Sequence, residues 1–389
     1  MVQPSIAVTL SHFFVRSNSW FTWAPTQSQT MTVTLDAAVD AGGGISADGK
    51  GSGPGLGTGA GRSLLATNVY TGGGAGYGGV GAPSAYGAAG GIAYGTMDQP
   101  NSLGSGGGNG NPQGAPGGAG GGFARLIVNG ALTLNGRLSA DGLPGKGPGS
   151  GGGSGGSVWL TAGTIAGAGT VSANGGGGEL PLGGGAGGGR VAIYYSTNQF
   201  SGSVAAHGGL GATNGGAGTI LWQGPTNTAA QVIVDNAGVA GTSNTVVLVR
   251  SSGYNLTVTG RAVAAQATGV VLGNLRIVSN SWLTATPYPE VPLVLRVTNN
   301  ATIQGGGGIV FDGLGECWRE RHGAGPNDGH TGRRRRVRRV RWGKCVKCCP
   351  RRDYLRGGVS TECKRERWRS WQRRCALQCG RRGWGGRSS

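Results

Sequence analysis

The sequence predicts an all-β chain of parallel β-solenoid-like coils, about 33 residues each, with long glycine-rich loops and a disordered C-terminal tail. Three observations carry this. Ser139-Ala140-Asp141-Gly142, Ser172-Ala173-Asn174-Gly175 and Ala205-Ala206-His207-Gly208 recur at a spacing of 33 residues. Short apolar stretches precede them, and none of these shows the 3.6-residue period of an amphipathic helix. The composition breaks near Leu314: all 7 cysteines and 23 of the 34 Lys and Arg lie beyond it.

The regular part spans residues 125–222. Leu126-Ile127-Val128, Val158-Trp159-Leu160 and Val191-Ala192-Ile193-Tyr194 are each followed by a tight turn, a second short strand such as Gly169-Thr170-Val171-Ser172, and a glycine-rich loop. Thr219-Ile220-Leu221-Trp222 adds a fourth apolar strand. β-branched and aromatic residues bounded by Gly and Asn favour strands, and one such unit buries its apolar face only when its neighbours stack on it. The Asp-Gly and Asn-Gly pairs predict corners with positive φ. Residues 50–122 hold few large apolar side chains and read as long, low-complexity, largely disordered loops rather than an ordered polyglycine packing. Gln231–Asp235, Thr245–Arg250, Asn255–Thr259, Gly269–Leu272, Leu275–Ser279, Pro292–Val297 and Ala301–Ile303 predict further strands. Those strands fit either more coils or a β-sandwich.

A longer repeat is also present. Leu10, Asn18 and Trp20 recur as Leu272, Asn280 and Trp282, and Gly42-Gly43-Gly44-Ile45 as Gly306-Gly307-Gly308-Ile309. The chain therefore divides into a first module (1–271), the start of a second copy (272–315) and a basic Arg/Trp/Cys tail (316–389). The second copy heads toward glycine-rich sequence and meets Arg, Trp and Cys instead. A one-base displacement accounts for this: glycine codons then read as Arg, Trp or Gly, and alanine codons as Cys, Arg, Ser or Gly. Undoing it over Lys344–Cys349 recovers Ser84-Ala85-Tyr86 and Ala88-Ala89, with Gly87 as the mismatch. We read the tail as frame-shifted and without a selected fold.

The formal charge of +19 then has little functional meaning. Residues 1–313 carry 11 basic and 9 acidic groups; the excess sits in the tail. A basic patch normally marks a polyanion partner, and a nucleic-acid-binding protein acting through the tail is the third function class weighed. Cys345, Cys348 and Cys349 with Cys375 and Cys379 offer zinc ligands on paper, but their spacing is irregular. No metal site, cofactor site or specific nucleic-acid contact is assigned. No run reaches the roughly 18 apolar residues of a membrane span. Residues 1–10 lack Lys and Arg, and Ser5–Leu10 is too short for a signal-peptide core. Because Met1 aligns near Arg261-Ala262-Val263, the chain is expected to start inside a module.

Catalysis by a solenoid enzyme requires convergent carboxylates. The body offers Asp36, Asp40, Asp48, Asp98, Asp141, Glu179, Asp235, Glu290 and Asp312. Asp48, Asp141 and Asp312 occupy an x-Asp-Gly turn, where a structural role suffices. His12 is isolated, and His207 stands where its sister units have Asp141 and Asn174, which makes it a turn residue rather than a ligand. Gly42–Gly49 faintly matches Gly/Asp calcium repeats, but these need tandem nine-residue units. No catalytic residue is assigned.

The Thr170–Gly175 unit, the glycine-rich loops and the Arg190–Tyr195 strand resemble the glycine-rich repeats of bacterial cell-surface proteins, such as autotransporter and filamentous-adhesin β-helices. The resemblance covers residues 30–315 and transfers no site residues. It implies a secreted or surface-exposed structural or adhesive protein, with carbohydrate or extracellular matrix as partner. A carbohydrate-active β-helix enzyme or carbohydrate-binding module is the alternative.

Overall fold

The computed structural model describes residues 6–22, 28–66, 68–111, 115–225, 229–241, 245–247, 253–266, 269–286 and 294–311. They are all-β, hold no helix, and pair mostly in parallel. The tail, with its cysteines and arginines, lies outside the described residues, as do Glu290 and Asp312.

Six short strands open the chain: β1 (Ile6–Leu10), β2 (Phe13–Val15), β3 (Trp20–Thr22), β4 (Ser28–Val33), β5 (Ala37–Val39) and β6 (Gly44–Ser46). β1 pairs with β4, β2 with β5 and β3 with β6, all in parallel. A small antiparallel hairpin, β7 (Ser63–Ala66) and β8 (Val69–Gly72), interrupts the glycine-rich segment. Long and short strands then alternate: β9 (Phe123–Leu134), β10 (Arg137–Ser139), β11 (Ser157–Gly167), β12 (Thr170–Ser172), β13 (Arg190–Phe200), β14 (Ser203–Ala205) and β15 (Thr219–Gln223).

The 33-residue spacing is the register of this region. Ser157 lies opposite Arg190, Arg137 opposite Thr170, and Thr170 opposite Ser203. The long strands form one sheet with β1, β4 and β5; the short ones form a second, ordered β14-β12-β10-β6-β3. Alternation turns Val158, Leu160, Val191 and Ile193 from the first sheet toward Leu138, Val171 and Ile45 of the second, and all are buried. Each such side chain contributes roughly 1.5–3 kcal/mol of transfer free energy.

β16 (Gln231–Asp235) joins the same sheet antiparallel to β15. Beyond it come β17 (Thr245–Val247), β18 (Tyr254–Thr259), β19 (Val263–Gln266), β20 (Val270–Ile277), β21 (Trp282–Ala285), β22 (Leu295–Val297), β23 (Ala301–Ile303) and β24 (Gly308–Ile309). The large sheet continues in parallel through β16, β18 and β20 to β22 and β23, while β17, β19, β21 and β24 make another sheet. The two stretches predicted at Gly269–Leu272 and Leu275–Ser279 are one strand, β20.

The antiparallel step has a geometric consequence. Parallel crossovers keep one hand, so reversing the strand direction moves the crossovers, and the core beneath them, to the opposite face of the sheet. Ile220 packs into the first core, whereas its neighbour Leu221 joins Val232, Val234, Leu256 and Val258 in a second. β15 is thus buried on both faces: Thr219, Ile220 and Leu221 are all at most 3% exposed.

The glycine-rich segments correct the sequence reading. Residues 50–122 are not disordered loops where described; with 140–156, 173–189 and 206–218 they form a packed polyglycine array. Its signature is a period of three. The N–H groups of Gly151, Gly152 and Gly153 donate to the carbonyls of Gly108, Gly184 and Leu143; those of Ser154, Gly155 and Gly156 then return to Ser105, Gly187 and Ala140 on the same three neighbours. Gly184–Gly189 repeats the rotation with Gly72, Thr213 and Gly176, then Ala75, Gly216 and Ala173. A left-handed extended backbone with three residues per turn aims successive amides about 120° apart, and here neighbouring runs take the place of water. Packing is so close that a Cβ on Gly187 would lie 2.1 Å from the Gly79 carbonyl oxygen. These amide bonds offset the entropy of ordering glycine, about 1–2 kcal/mol per residue.

The corner prediction holds only in part. Gly49 has φ of 64°, but Gly142 and Gly175 do not take positive φ. Their glycines are set by approach instead: added Cβ atoms would lie 2.0 Å from Gly153 O and 2.5 Å from Ala186 O.

Candidate functional site

The x-Asp-Gly turns bring the Asp48 and Asp141 carboxylates together around Arg137. They stack because β6, β10, β12 and β14 stack, placing each turn beside the next. Asp48 Oδ1 accepts the Asp141 amide at 2.7 Å, Asp141 Oδ1 the Asn174 amide at 2.6 Å, and Asn174 Oδ1 the His207 amide at 2.8 Å. Asn236 Oδ1 continues the line to Gly208 N. The second oxygens are also taken: Ser139 Oγ donates to Asp48 and Ser172 Oγ to Asp141, while Arg137 bridges both carboxylates. Burial pushes the Asp141 carboxyl above the usual carboxylate range and the Asp48 charge adds to this; the Asn174 amide, Ser172 and Arg137 oppose it. This ladder fixes turns. It has the donors and acceptors of a structural seam, with each carboxylate committed to a main-chain amide.

The other predicted positions do similar work separately. Asp36 Oδ1 holds the Ala131 amide, Glu179 Oε2 the Gly149 amide and Asp235 Oδ1 the Ala237 amide. Asp40 pairs with Arg16 at 3.4 Å on the surface. His207 Nε2 sits 4.0 Å from Asp235 Oδ2, and the His12 ring stacks on Phe14. Among the described residues no three His, Cys, Asp or Glu side chains gather as metal ligands.

Sequence reasoning missed a buried cluster around Arg190. Its guanidinium is fully buried; Nε and Nη2 donate to the Tyr94 carbonyl at 3.0 and 2.8 Å, and Nη1 to Thr219 Oγ1 at 3.1 Å. The Tyr77 hydroxyl bonds Ser157 Oγ at 2.6 Å, and Tyr194 donates to the Asp98 carbonyl. Burial pulls the Arg190 pKa down, opposed by Tyr77, Tyr94 and Asp98. The cluster pins residues 94–98 onto the strand starts. Its trace in the sequence is the register column Phe123, Ser157, Arg190, Thr219, in which one cation replaces small or apolar residues.

An open groove of about 420 Å³ lies among the glycine-run turns, lined by Pro54, Ser63, Tyr70, Asn109, Asn111 and Pro116 among others. Its lining carries aromatic, amide and hydroxyl groups and no carboxylate or imidazole. Comparison of the chain with protein-family models, curated proteins and solved structures gives no match.

Proposed function

We propose that this chain is a structural or adhesive part of a bacterial surface protein of the glycine-rich repeat kind, similar to autotransporter and filamentous-adhesin β-helices. Its parallel strands wind as β-solenoid coils of about 33 residues, and it works outside the cell without catalysis. The observation that carries this is the threefold rotation of amide bonds along Gly151–Gly156 and Gly184–Gly189. Such a frame is held largely by main-chain amide bonds, so it is stiff while leaving its turn tips free to vary. The Asp48–Asp141–Asn174 ladder supports the same reading, because its acids serve turns. The basic tail is read as displaced codons with no nucleic-acid role.

The test is binding of the purified chain to arrays of glycans and extracellular matrix proteins, with a glycan-cleavage screen alongside. Retention without turnover is expected. Turnover lost on mutating Asp48 and Asp141 together would transfer the chain to the carbohydrate-active enzymes. The groove favours one second reading, a carbohydrate-binding module: Tyr70 and the Asn109 and Asn111 amides are the groups that recognise sugars. Loss of glycan retention in Tyr70→Ala would select it.

A further inference from the structure

The glycine runs reverse direction at turns that meet in one place. Gly72 N donates to Gly149 O at 2.7 Å, Ala85 N to Leu182 O at 2.9 Å and Gly178 N to Leu210 O at 2.8 Å. Gly149 N reaches Glu179 Oε2 at 2.8 Å, and Thr71 Oγ1 shares a hydrogen bond with Ser84 Oγ, also at 2.8 Å. These bonds gather the β7–β8 hairpin and the turns at 84–87, 144–149, 179–182 and 210–213 into one surface.

Turns are ordinarily built from small and polar residues, and this surface departs from that. Leu64, Leu65 and Val69 of the hairpin, with Tyr86, Leu180 and Leu210 of the turns, are between 37% and 62% exposed. Neither apolar core includes any of them. Apolar side chains grouped on a surface mark an interaction site.

The hairpin and the charges beside it indicate what this surface fits. Leu64 lies opposite Thr71 and Ala66 opposite Val69 on one face of the hairpin; Leu65 lies opposite Tyr70 on the other. Thr71 turns the first face toward Ser84, whereas Ser63 and Tyr70 turn the second toward the groove they line. A flat protein partner covers one such face and leaves the other in water. An apolar medium surrounds both. Arg62, just before the hairpin, and Lys146, on the 144–149 turn, are exposed and hold no ion pair among the described residues. The nearby acid, Glu179, is committed to the Gly149 amide.

We propose that this surface docks on a phospholipid bilayer. The hairpin tip and Leu180 enter the boundary between headgroups and acyl chains, and Arg62 and Lys146 meet the phosphates, the pairing of apolar and basic groups that interfacial binding uses. Hairpin edges carry unpaired amides, which are costly in hydrocarbon, so insertion stops at headgroup depth. Docking of this kind is independent of glycan or matrix retention.

The test is co-sedimentation of the full chain with phosphatidylcholine vesicles in about 1 M salt, which screens charges beyond about 3 Å and so suppresses attraction through the basic tail. The parent chain is expected to bind. Leu65→Asp and Leu180→Asp should each weaken partitioning roughly tenfold or more. Leu35→Asp, at an equally exposed leucine (51%) between β4 and β5, should bind as the parent does. Should a variant lose its strand signal in circular dichroism, Val69→Ser and Tyr86→Ser replace it and are judged alike. A parent chain that stays in the supernatant, folded Leu65→Asp and Leu180→Asp variants that bind as the parent does, or an equal loss in Leu35→Asp would each overturn the proposal. Self-association that Leu65→Asp abolishes, without vesicle binding, would overturn it in favour of a second copy of the chain.

Discussion

Gly187→Ala separates an ordered polyglycine array from a glycine loop by the sign of its effect. Gly187 has no positive φ, so alanine is strained there only by its surroundings. Its added Cβ would lie 2.1 Å from Gly79 O and 2.5 Å from Gly79 C. Ordinary contact begins near 3.4 Å, so the Gly79 backbone must retreat by about 1.3 Å. That backbone is tied in place by the Gly79 N–H to Gly188 O bond at 2.8 Å, beside the Gly187 N–H to Ala75 O bond at 2.8 Å. Overpacking costs about 1–3 kcal/mol, and a buried amide left without its partner roughly 1–3 kcal/mol more. We expect a loss of about 3–5 kcal/mol, or roughly 5–8 °C in melting temperature for a body of this size. In a mobile loop the same substitution would stabilise by about 0.4–1 kcal/mol through the unfolded chain. Gly53→Ala is the internal control. It lies in the same glycine-rich segment, but its added Cβ meets only Leu56 at 3.9 Å. Urea and thermal unfolding followed by far-ultraviolet circular dichroism measure both. Gly187→Ala as stable as the parent, or more so, would refute the packing described.

Three further outcomes are expected. Asp141 has a raised carboxyl pKa in the fold, so its contribution is fully present below the unfolded value of 3.8 and is lost as pH rises through the folded value. Asp141→Asn keeps the Oδ1 acceptor for the Asn174 amide but places an NH2 where Arg137 and Ser172 donate, so stability should be lower overall and should no longer fall over that interval. An unchanged pH slope in urea unfolding would contradict this. Arg190→Ala should lose about 3 kcal/mol or more, because it leaves a cavity and an unpaired buried Tyr94 carbonyl; Arg190→Met, which fills the space, should lose less, as read from urea midpoints. Asn280 holds φ of 59°, where a Cβ costs about 1–2 kcal/mol. Asn280→Gly should be tolerated and Asn280→Ala destabilising, with the same order at Asn18 in thermal melts.

The strands between 125 and 222 were legible because apolar alternation and turn residues repeat at 33, and that spacing is the register itself. The Asp48, Asp141 and His207 turns were legible as structural for the same reason. The polyglycine array was not. A threefold rotation of amides leaves no side-chain pattern when nearly every position is glycine, and entropy argued for loops. One trace was available: Asp141, Asn174 and His207 keep their spacing across those runs, which freely varying loops have no need to do. The move of the core to the other face was also hidden, since it depends on one antiparallel step. Its only sign was Thr219-Ile220-Leu221-Trp222, which is apolar without alternation, as strands covered on both faces are. Arg190 escaped notice because a lone basic residue at a strand start reads as solvated.

Residues 72–82 have a mechanical consequence. They bond in turn to three successive layers: Ala75 N to Gly152 O, Gly187 N to Ala75 O, and Gly216 N to Val80 O. A stack of strands pulled from its ends ordinarily peels one strand at a time, each rupture independent of the next. Here a transverse strap fastens three layers together, so tension on any one is shared with its neighbours and they must give way as a block.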